Sequence, residues 1–313
     1  MSDVVTEHSE EYGRCRAHTP SGPQVGAREY GSRVISRLPV TLVRACLRDG
    51  RGGSPTVVLD EAPLSDEERC RIPVLAGTSH AVFVSARGSA VSLRFFTAEG
   101  ELPACGHGTV AALAFLVERA GGTEYRATLR AAGRTFAGRA VREEALFRAA
   151  FASGPVELRE PTAAECGLVL PALGITPDTL VPGVRVASVG RARLLVPVTS
   201  RSALAALAPD FGQLRSACDR FGFLGCYVYS LPTRSGRIAA RMFAPSIGVP
   251  EDIANANSTA CLAADLAGRG VTAIAVDMGD SLGSPATITA SARPVPRLGG
   301  VAEVTGTVRE LTV

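Results

Sequence analysis

Eight consecutive apolar residues, 110–117, constrain this sequence more than any other feature. They follow Cys105-Gly106-His107-Gly108-Thr109, and Gly121-Gly122 stands just beyond them, where a helix is expected to end. A helix that is apolar on every side must be buried on every side. Residues 106–119 therefore predict a helix that is enclosed by other elements.

The second half of the chain repeats this plan. Another helix of small apolar residues is predicted from about Ser258 to Ala267, and Gly268 ends it. Short strand-like runs precede the two helices, at 40–47, 55–59, 81–84, 91–96, 187–189, 193–197, 226–230 and 238–243. This order predicts the α+β class, with two pseudo-symmetric domains in which a strongly curved sheet wraps around a central apolar helix.

We place these two domains at 39–152 and 153–313. Residues 1–38 are polar, contain several glycines and show no sustained periodicity, so they predict a flexible N-terminal extension. The extension has no apolar signal segment, and no stretch of about 18 apolar residues occurs in the chain. We expect a cytoplasmic protein without a membrane partner.

Composition excludes several kinds of chemistry. The sequence contains no lysine, so Schiff-base catalysis, including an internal aldimine of pyridoxal phosphate, is excluded. The net charge of +3 is not gathered into a basic run, which argues against a nucleic-acid partner. No GxGxxG or Walker-type loop occurs, and no cofactor is predicted. The eight cysteines form no CxxC pair and are expected to be reduced thiols.

The N-terminal ends of the two apolar helices carry the candidate chemistry. Of the four histidines, His8 and His18 fall in the extension, which leaves His80 and His107. His107 stands at a helix start, where unpaired backbone N–H groups and the helix dipole favour an anion. A polar loop containing Asp252 leads into the second helix in the same way. If the two helix starts face one cleft, they hold a substrate carboxylate and stabilise an enolate-like intermediate, while His80 and Asp252 move protons.

Structural roles account for several of the same residues. Asn257 and Ser258 are good helix caps without any further duty. Cys105 and Cys261 suit small buried positions, which is the common situation of a cysteine outside a disulfide. His107 could likewise serve as a buried core histidine whose ring nitrogens are hydrogen-bonded.

Five segments occur in a recognisable order. They are Gly-Ser-Pro-Thr-Val-Val at 53–58, Thr-Ser-His-Ala-Val-Phe-Val at 78–84, the segment 93–109, Arg-Met-Phe-Ala-Pro at 241–245 with Gly248, and Glu251-Asp252. In content and order they resemble the PhzF family of phenazine-biosynthesis isomerases, from about residue 40 to the C-terminus. The resemblance implies a diaminopimelate-epimerase-like fold, a homodimer, and a cofactor-free proton shift between carbons of a small unsaturated carboxylic acid.

The resemblance also implies the site. His107 matches the family's histidine at the helix start, and Asp252 matches its aspartate. The expected substrate contacts lie in the first turns of the two helices: Cys105, Gly106, Gly108, Thr109, Asn257 and Ser258.

The chain departs from the family pattern at two site positions. The usual acid/base of the family is a glutamate that follows a serine, and His80 occupies this position. A serine five residues after the aspartate falls on Asn257, with Ser258 one step away. Because an ordinary imidazole titrates near pH 6.5, we expect His80 to carry the proton and to give a pH–rate inflection at about pH 6 to 7.

We therefore expect a cofactor-independent isomerase of secondary metabolism, of the kind that serves antibiotic biosynthesis. Its substrate is a small unsaturated carboxylic acid or cyclic imine in which a double bond migrates, such as the precursor of an alkylated proline unit. One alternative is a two-cysteine racemase or epimerase, although Cys261 lies about one turn deeper in its helix than a partner for Cys105 should. The other is a catalytically silent protein of the same fold that binds a small acid.

Two further classes are disfavoured. The segment 77–81, Gly-Thr-Ser-His-Ala, is faintly similar to a hydrolase nucleophile elbow, but no histidine follows His107 to complete that triad in order. Cys105 and His107 offer two metal ligands at an awkward spacing without obvious partners. No metal site is predicted.

Overall fold

The apolar segment after Cys105 forms the 15-residue helix Gly106–Ala120 in the computed structural model, which describes residues 37–87, 90–233, 236–291 and 296–312. Residues 110–114, 116 and 117 are buried, as a helix that is apolar on every side requires. Gly121 ends the helix with a φ of 64°, in the left-handed region that favours glycine. The predicted extension lies outside the described residues, apart from its last two positions, which begin the first strand.

The elements of the first half are β1 (Arg37–Ala45), β2 (Ser54–Asp60), α1 (Asp66–Ala76), β3 (His80–Arg87), β4 (Ala90–Thr97), β5 (Gly100–Leu102), α2 (Gly106–Ala120), β6 (Glu124–Ala131), β7 (Arg134–Glu143) and β8 (Leu146–Ala152). Those of the second half are β9 (Glu157–Arg159), α3 (Ala163–Ala172), β10 (Arg185–Val189), β11 (Arg191–Val198), α4 (Arg201–Ala205), α5 (Phe211–Phe221), β12 (Phe223–Ser230), β13 (Arg237–Ala244), β14 (Val249–Asp252), α6 (Ala256–Ala267), β15 (Ala273–Met278), β16 (Ala286–Ser291) and β17 (Arg297–Thr312).

Eight strands close a ring around α2. Their order around the ring is β1, β2, β3, β4, β6, β7, β8 and β17, and β17 pairs back with β1. The pairs β2–β3 and β4–β6 are parallel, and the others are antiparallel. A closed ring satisfies the backbone hydrogen bonds on both sides of every strand and leaves no open edge. The last strand of the chain therefore completes the sheet of the first half.

A second curved sheet lies against α6. From β9 at one end it runs through β10, β11, β12, β13, β15 and β16 to β17. Residues 297–299 of β17 pair with both β16 and β8, so one strand belongs to both sheets. The predicted α+β class, with curved sheet around central apolar helices, is confirmed. The division into domains at residue 152 stays a prediction.

Two helices that the sequence did not predict cover the outer face of the second sheet. Val169 and Leu173 from the region of α3, and Leu214 from α5, pack in one buried cluster with Leu194 and Val228 of the sheet. The outside of this sheet is therefore apolar, and its strands are buried on both faces. Within the described residues, no helix is long and apolar enough to cross a membrane.

Gly106 brings the first turns of α2 and α6 together. A Cβ atom at this position would stand 2.4 Å from the Cβ of Ala256, a distance that real side chains do not adopt. The two apolar helices can therefore meet at their N-termini only because residue 106 has no side chain.

Replacing Gly106 with alanine is expected to lower the free energy of unfolding by about 1–3 kcal/mol, because an added methyl group in a packed interior forces its neighbours apart. Gly167→Ala is the matched control, since Gly167 lies inside α3 and a Cβ there meets no atom within 4 Å. The control is expected to raise stability by about 0.5–1 kcal/mol. Urea unfolding followed by circular dichroism measures both. Equal effects of the two substitutions would contradict the close approach of the helices.

Candidate active site

The two histidines of the described chain lie against each other in one buried cavity. His80 begins β3 and His107 lies in the first turn of α2, and their ring centroids are 4.4 Å apart at an interplanar angle of 86°. Their exposed fractions are 2% and 1%. Cys105, Asp252 and Asn257 line the same cavity. The fold thus joins residues that the sequence places on separate elements and in two halves.

His107 connects the two halves directly. Its Nδ1 lies 2.6 Å from the carbonyl oxygen of Ala254, and its Nε2 lies 3.4 Å from Sγ of Cys105. The Oδ1 atom of Asp252 is 3.9 Å from the same Nδ1. Both ring nitrogens are therefore engaged, and the imidazole cannot turn without losing a contact.

The loop before α6 is built around Asp252. Its Oδ2 accepts a hydrogen bond from the Asn255 side-chain amide at 3.0 Å, and its Oδ1 accepts one from the Ala254 backbone N–H at 3.3 Å. The side chain of Asn255 caps α6 by accepting from the backbone N–H of Ser258 at 2.9 Å. The prediction that Asn257 and Ser258 act as the helix caps is therefore wrong. Asn255 takes that role because the helix begins earlier than predicted.

The predicted substrate contacts fall into two groups. Gly106 and Asn257 line the cavity with the histidines, whereas Ser258 is fully buried behind it. Gly108 faces the core, since a Cβ there would meet Val82 and Phe95. The hydroxyl of Thr109 donates to the carbonyl oxygen of Cys105 at 2.8 Å, which secures the first turn of α2.

Arg193 is a site residue that the sequence prediction missed. Its side chain lines the cavity, yet the residue is only 1% exposed. One guanidinium nitrogen donates to the carbonyl oxygen of Arg191 at 2.7 Å, and another approaches the hydroxyl of Ser258 at 3.4 Å. Within the described ranges, Nε of Arg193 has no hydrogen-bond partner and no carboxylate pairs with this residue. A buried guanidinium without an anion is unfavourable by several kcal/mol, so this position favours an anionic ligand.

The two histidines differ in protonation. Burial, together with the nearby charge of His107, lowers the pKa of His80 well below its ordinary value of 6.5. Burial also acts to lower the pKa of His107, but Cys105, Asp252 and the carbonyl of Ala254 outweigh it and raise this pKa to about 10. At neutral pH, His80 is therefore a neutral base and His107 carries the positive charge. If His80 is the base, its lowered pKa places the pH–rate inflection below the pH 6 to 7 expected for an ordinary imidazole.

A larger depression of about 490 Å³ lies elsewhere, on the outer face of β6, β7 and β8. Its lining consists of arginines and small or apolar residues such as Arg126, Ala137 and Ala150. None of the residues that line it accepts a proton near neutral pH. The smaller histidine cavity is the better candidate for acid/base chemistry.

A curved sheet around a central apolar helix places the chain in the epimerase-like class of folds. A predicted epimerase of Pseudomonas aeruginosa has this architecture, with a TM-score of 0.76 and 26% identity over 88% of this chain and 99% of that one. A PhzF-family phenazine biosynthesis protein of Bacillus anthracis shares the fold, with a TM-score of 0.74 and 19% identity over 89% and 99% of the two chains.

The family model of PhzC-PhzF, phenazine biosynthesis-like proteins, matches residues 48–307, so the chain belongs to this family. The resemblance predicted from the motifs is confirmed. The uncharacterized isomerase YddE of Salmonella typhimurium is 30% identical over 71% of this chain and 76% of its own length. An uncharacterized isomerase of Deinococcus radiodurans is 29% identical over 71% and 73%. Family and relatives together support an isomerase.

The opposite pKa shifts predict two distinct imidazole titrations. In a ¹⁵N-edited NMR titration, the His80 ring is expected to stay neutral at pH 6.5, while the His107 ring stays protonated through pH 8. Because the pKa of His107 is raised in the fold, the stability it contributes is complete below about pH 6.5 and is lost as the pH rises through about 10. The variants His80→Asn and His107→Asn assign the signals. Two histidines of the cavity that both titrate near 6.5 would overturn this description of the site.

Proposed function

We propose that this family member is a cofactor-independent isomerase that moves a proton between two carbons of a small unsaturated carboxylic acid or cyclic imine. One observation carries the proposal: a neutral His80 lies 4.4 Å from a positively charged His107 in a buried cavity where two helices begin. Such a pair places a base beside a positive charge that favours the anion formed when the base removes a proton.

In the first step, His80 removes a proton from a carbon next to the unsaturated system. Ser79 accepts or donates a hydrogen bond at Nδ1 of His80, at 2.9 Å, and holds the ring in place. The electron pair of the broken C–H bond spreads through the double bond into the carboxylate or imine. In the second step, the same imidazolium returns the proton to the far end of the system, so no net proton is consumed.

The dienolate-like anion between these steps needs positive surroundings. The His107 imidazolium and the first backbone N–H groups of α2 and α6 supply them. Arg193 lies in the same lining and pairs with the carboxylate of the substrate. The charged groups are fixed before the reaction begins, which is the condition under which they lower a barrier most.

Asp252 is the second group proposed to take part in proton transfer. It lines the cavity and is only 5% exposed, and two hydrogen bonds fix its carboxyl group. It stands 3.9 Å from Nδ1 of His107, so it also balances the positive charge there. Replacing it with asparagine is expected to disturb the protonation of His107 as well as turnover.

A role in secondary metabolism, such as antibiotic biosynthesis, belongs to the same proposal, with a cytoplasmic homodimer as the working form. Arg191 and Arg193 in the cavity lining suit a small anionic acid. The silent binding protein is the alternative, since burial and charge at the site serve binding equally well. Proton exchange with solvent separates the two.

His80→Ala is expected to lower solvent-deuterium incorporation about 10²–10⁴-fold, the range that a positioned acid/base contributes. The measurement follows loss of C–H signals by proton NMR in D2O, with a panel of unsaturated ring acids and cyclic imines such as a pyrroline carboxylate. His80→Glu introduces the acid/base usual in the family and is expected to restore part of the rate. Exchange that survives in His80→Ala, or wild-type protein that binds these acids without exchange, would refute the mechanism.

Arg193→Met is expected to weaken binding of the active acid about 10–100-fold, because hydrogen bonds to a charged group contribute about 1.5–3 kcal/mol. Methionine fills a similar volume, and replacing a buried charge by an apolar side chain is often tolerated by the fold. The amide of the same acid is the control ligand: the wild type should prefer acid to amide, and the variant should not. Unchanged preference in the variant would exclude Arg193 as the carboxylate partner.

A further inference from the structure

Three potential metal ligands meet in the candidate site. One ligand atom from each of His80, Cys105 and His107 lies within 4.8 Å of the other two, and all three residues are buried. We propose that these side chains form a binding site for a divalent transition-metal ion such as Zn²⁺, and that the bound ion blocks proton transfer by His80. The sequence shows only the pair at the start of α2, because the third ligand comes from the start of β3.

The separation of two of these ligand atoms fits a tetrahedral ion. With Zn–S near 2.3 Å and Zn–N near 2.0–2.1 Å, two ligands of a tetrahedral Zn²⁺ lie about 3.5 Å apart. Sγ of Cys105 and Nε2 of His107 are 3.4 Å apart. Nitrogen and thiolate ligands also bind Zn²⁺ and Co²⁺ in preference to Mg²⁺ and Ca²⁺.

Both histidines are oriented from behind, as metal ligands usually are. Nδ1 of His107 is engaged by the carbonyl oxygen of Ala254 at 2.6 Å, and Nδ1 of His80 by the hydroxyl of Ser79 at 2.9 Å. Hydrogen bonding at Nδ1 assigns Nε2 of each ring as the nitrogen that would bind an ion, and in His107 this bond would replace the 3.4 Å contact with Sγ of Cys105.

Negative groups at the cluster offset part of the charge of a dication, although Arg193 lines the same cavity. Two neutral imidazoles and the Cys105 thiolate leave a net charge of +1 on a bound Zn²⁺ group, and the carboxylate of Asp252 lies 3.9 Å from the far nitrogen of His107. The cavity, about 30 Å³ in volume, has room for a water molecule as fourth ligand. Three protein ligands with a water molecule in the fourth position are the arrangement found in catalytic zinc sites.

Metal binding and isomerisation exclude each other. The ion occupies the lone pair with which His80 would accept a proton, and it displaces the proton of His107. The inhibitory consequence rests on the proposed function, whereas the binding itself does not. The two are therefore tested by separate readouts.

The first readout is the absorption spectrum of the full-length protein titrated with Co²⁺. We expect one equivalent to produce the near-ultraviolet thiolate-to-cobalt band and the visible bands of tetrahedral Co²⁺, and Zn²⁺ to remove both. Cys105→Ser should abolish the thiolate band and lower affinity at least about 100-fold. Cys166→Ser is the matched control, since Cys166 lies on α3 and does not line the cavity; its spectrum should equal that of the wild type.

Positions 8, 15 and 18 hold two histidines and a cysteine, whose side chains are also of the types that can ligate a metal ion. The double variant Cys15→Ser/His18→Ala tests this source and should keep the full thiolate band. A band that persists in Cys105→Ser, or that disappears in the double variant, would overturn the site.

The second readout is turnover. Stoichiometric Zn²⁺ should suppress deuterium exchange, and a chelator should restore it. Deuterium exchange that continues in the Zn²⁺-saturated protein would overturn the inhibitory role of the bound ion. The Co²⁺ absorption spectrum would still decide whether the metal site exists. If no form of the protein shows exchange, the proposed function fails, and the cobalt spectrum again decides metal binding alone.

Discussion

The hydrogen bond between Nδ1 of His107 and the carbonyl oxygen of Ala254, at 2.6 Å, joins the N-terminal ends of the two apolar helices. The rest of the structure depends on this junction. It links the first turn of one apolar helix to the loop that leads into the other. It forms only because Gly106 lets the two helix starts touch, with Ala256 as the facing residue. Two enclosed helices and two curved sheets thus converge on one cavity, and the site is a consequence of how the cores pack.

The groups around this contact set the electrostatics of the site. Burial alone would make both imidazoles neutral, because a charge in an apolar interior is unfavourable. His107 escapes this effect through Cys105, Asp252 and the Ala254 carbonyl, and His80 does not. A second positive charge 4.4 Å from the first is then strongly disfavoured. Two residues of one type are thereby driven to opposite protonation states, which is the usual mark of separate acid/base roles.

Local signals in the sequence predicted the parts that depend on local physics. The apolar run of α2 and its glycine end both appear as expected. Long-range pairing was not predictable: β17 closes the ring by meeting β1 and β8, and nothing in its composition names those partners. Arg193 was missed for a related reason. An arginine in a strand normally predicts a solvated face, and only the fold shows that this one is enclosed.

The proposed isomerase activity and the proposed metal site both depend on the same unprotonated ring nitrogen of His80. The lone pair that makes a neutral imidazole a base is the lone pair that binds Zn²⁺, so any environment that keeps His80 unprotonated also prepares it as a ligand. A glutamate at this position, as is usual in the family, would be a harder ligand and would titrate as an acid. The departure from the family pattern therefore changes metal affinity and proton affinity together. Burial of His80 lowers its pKa and so favours both reactions at neutral pH. The competition between proton and metal for this lone pair is set by the pH and the metal concentration.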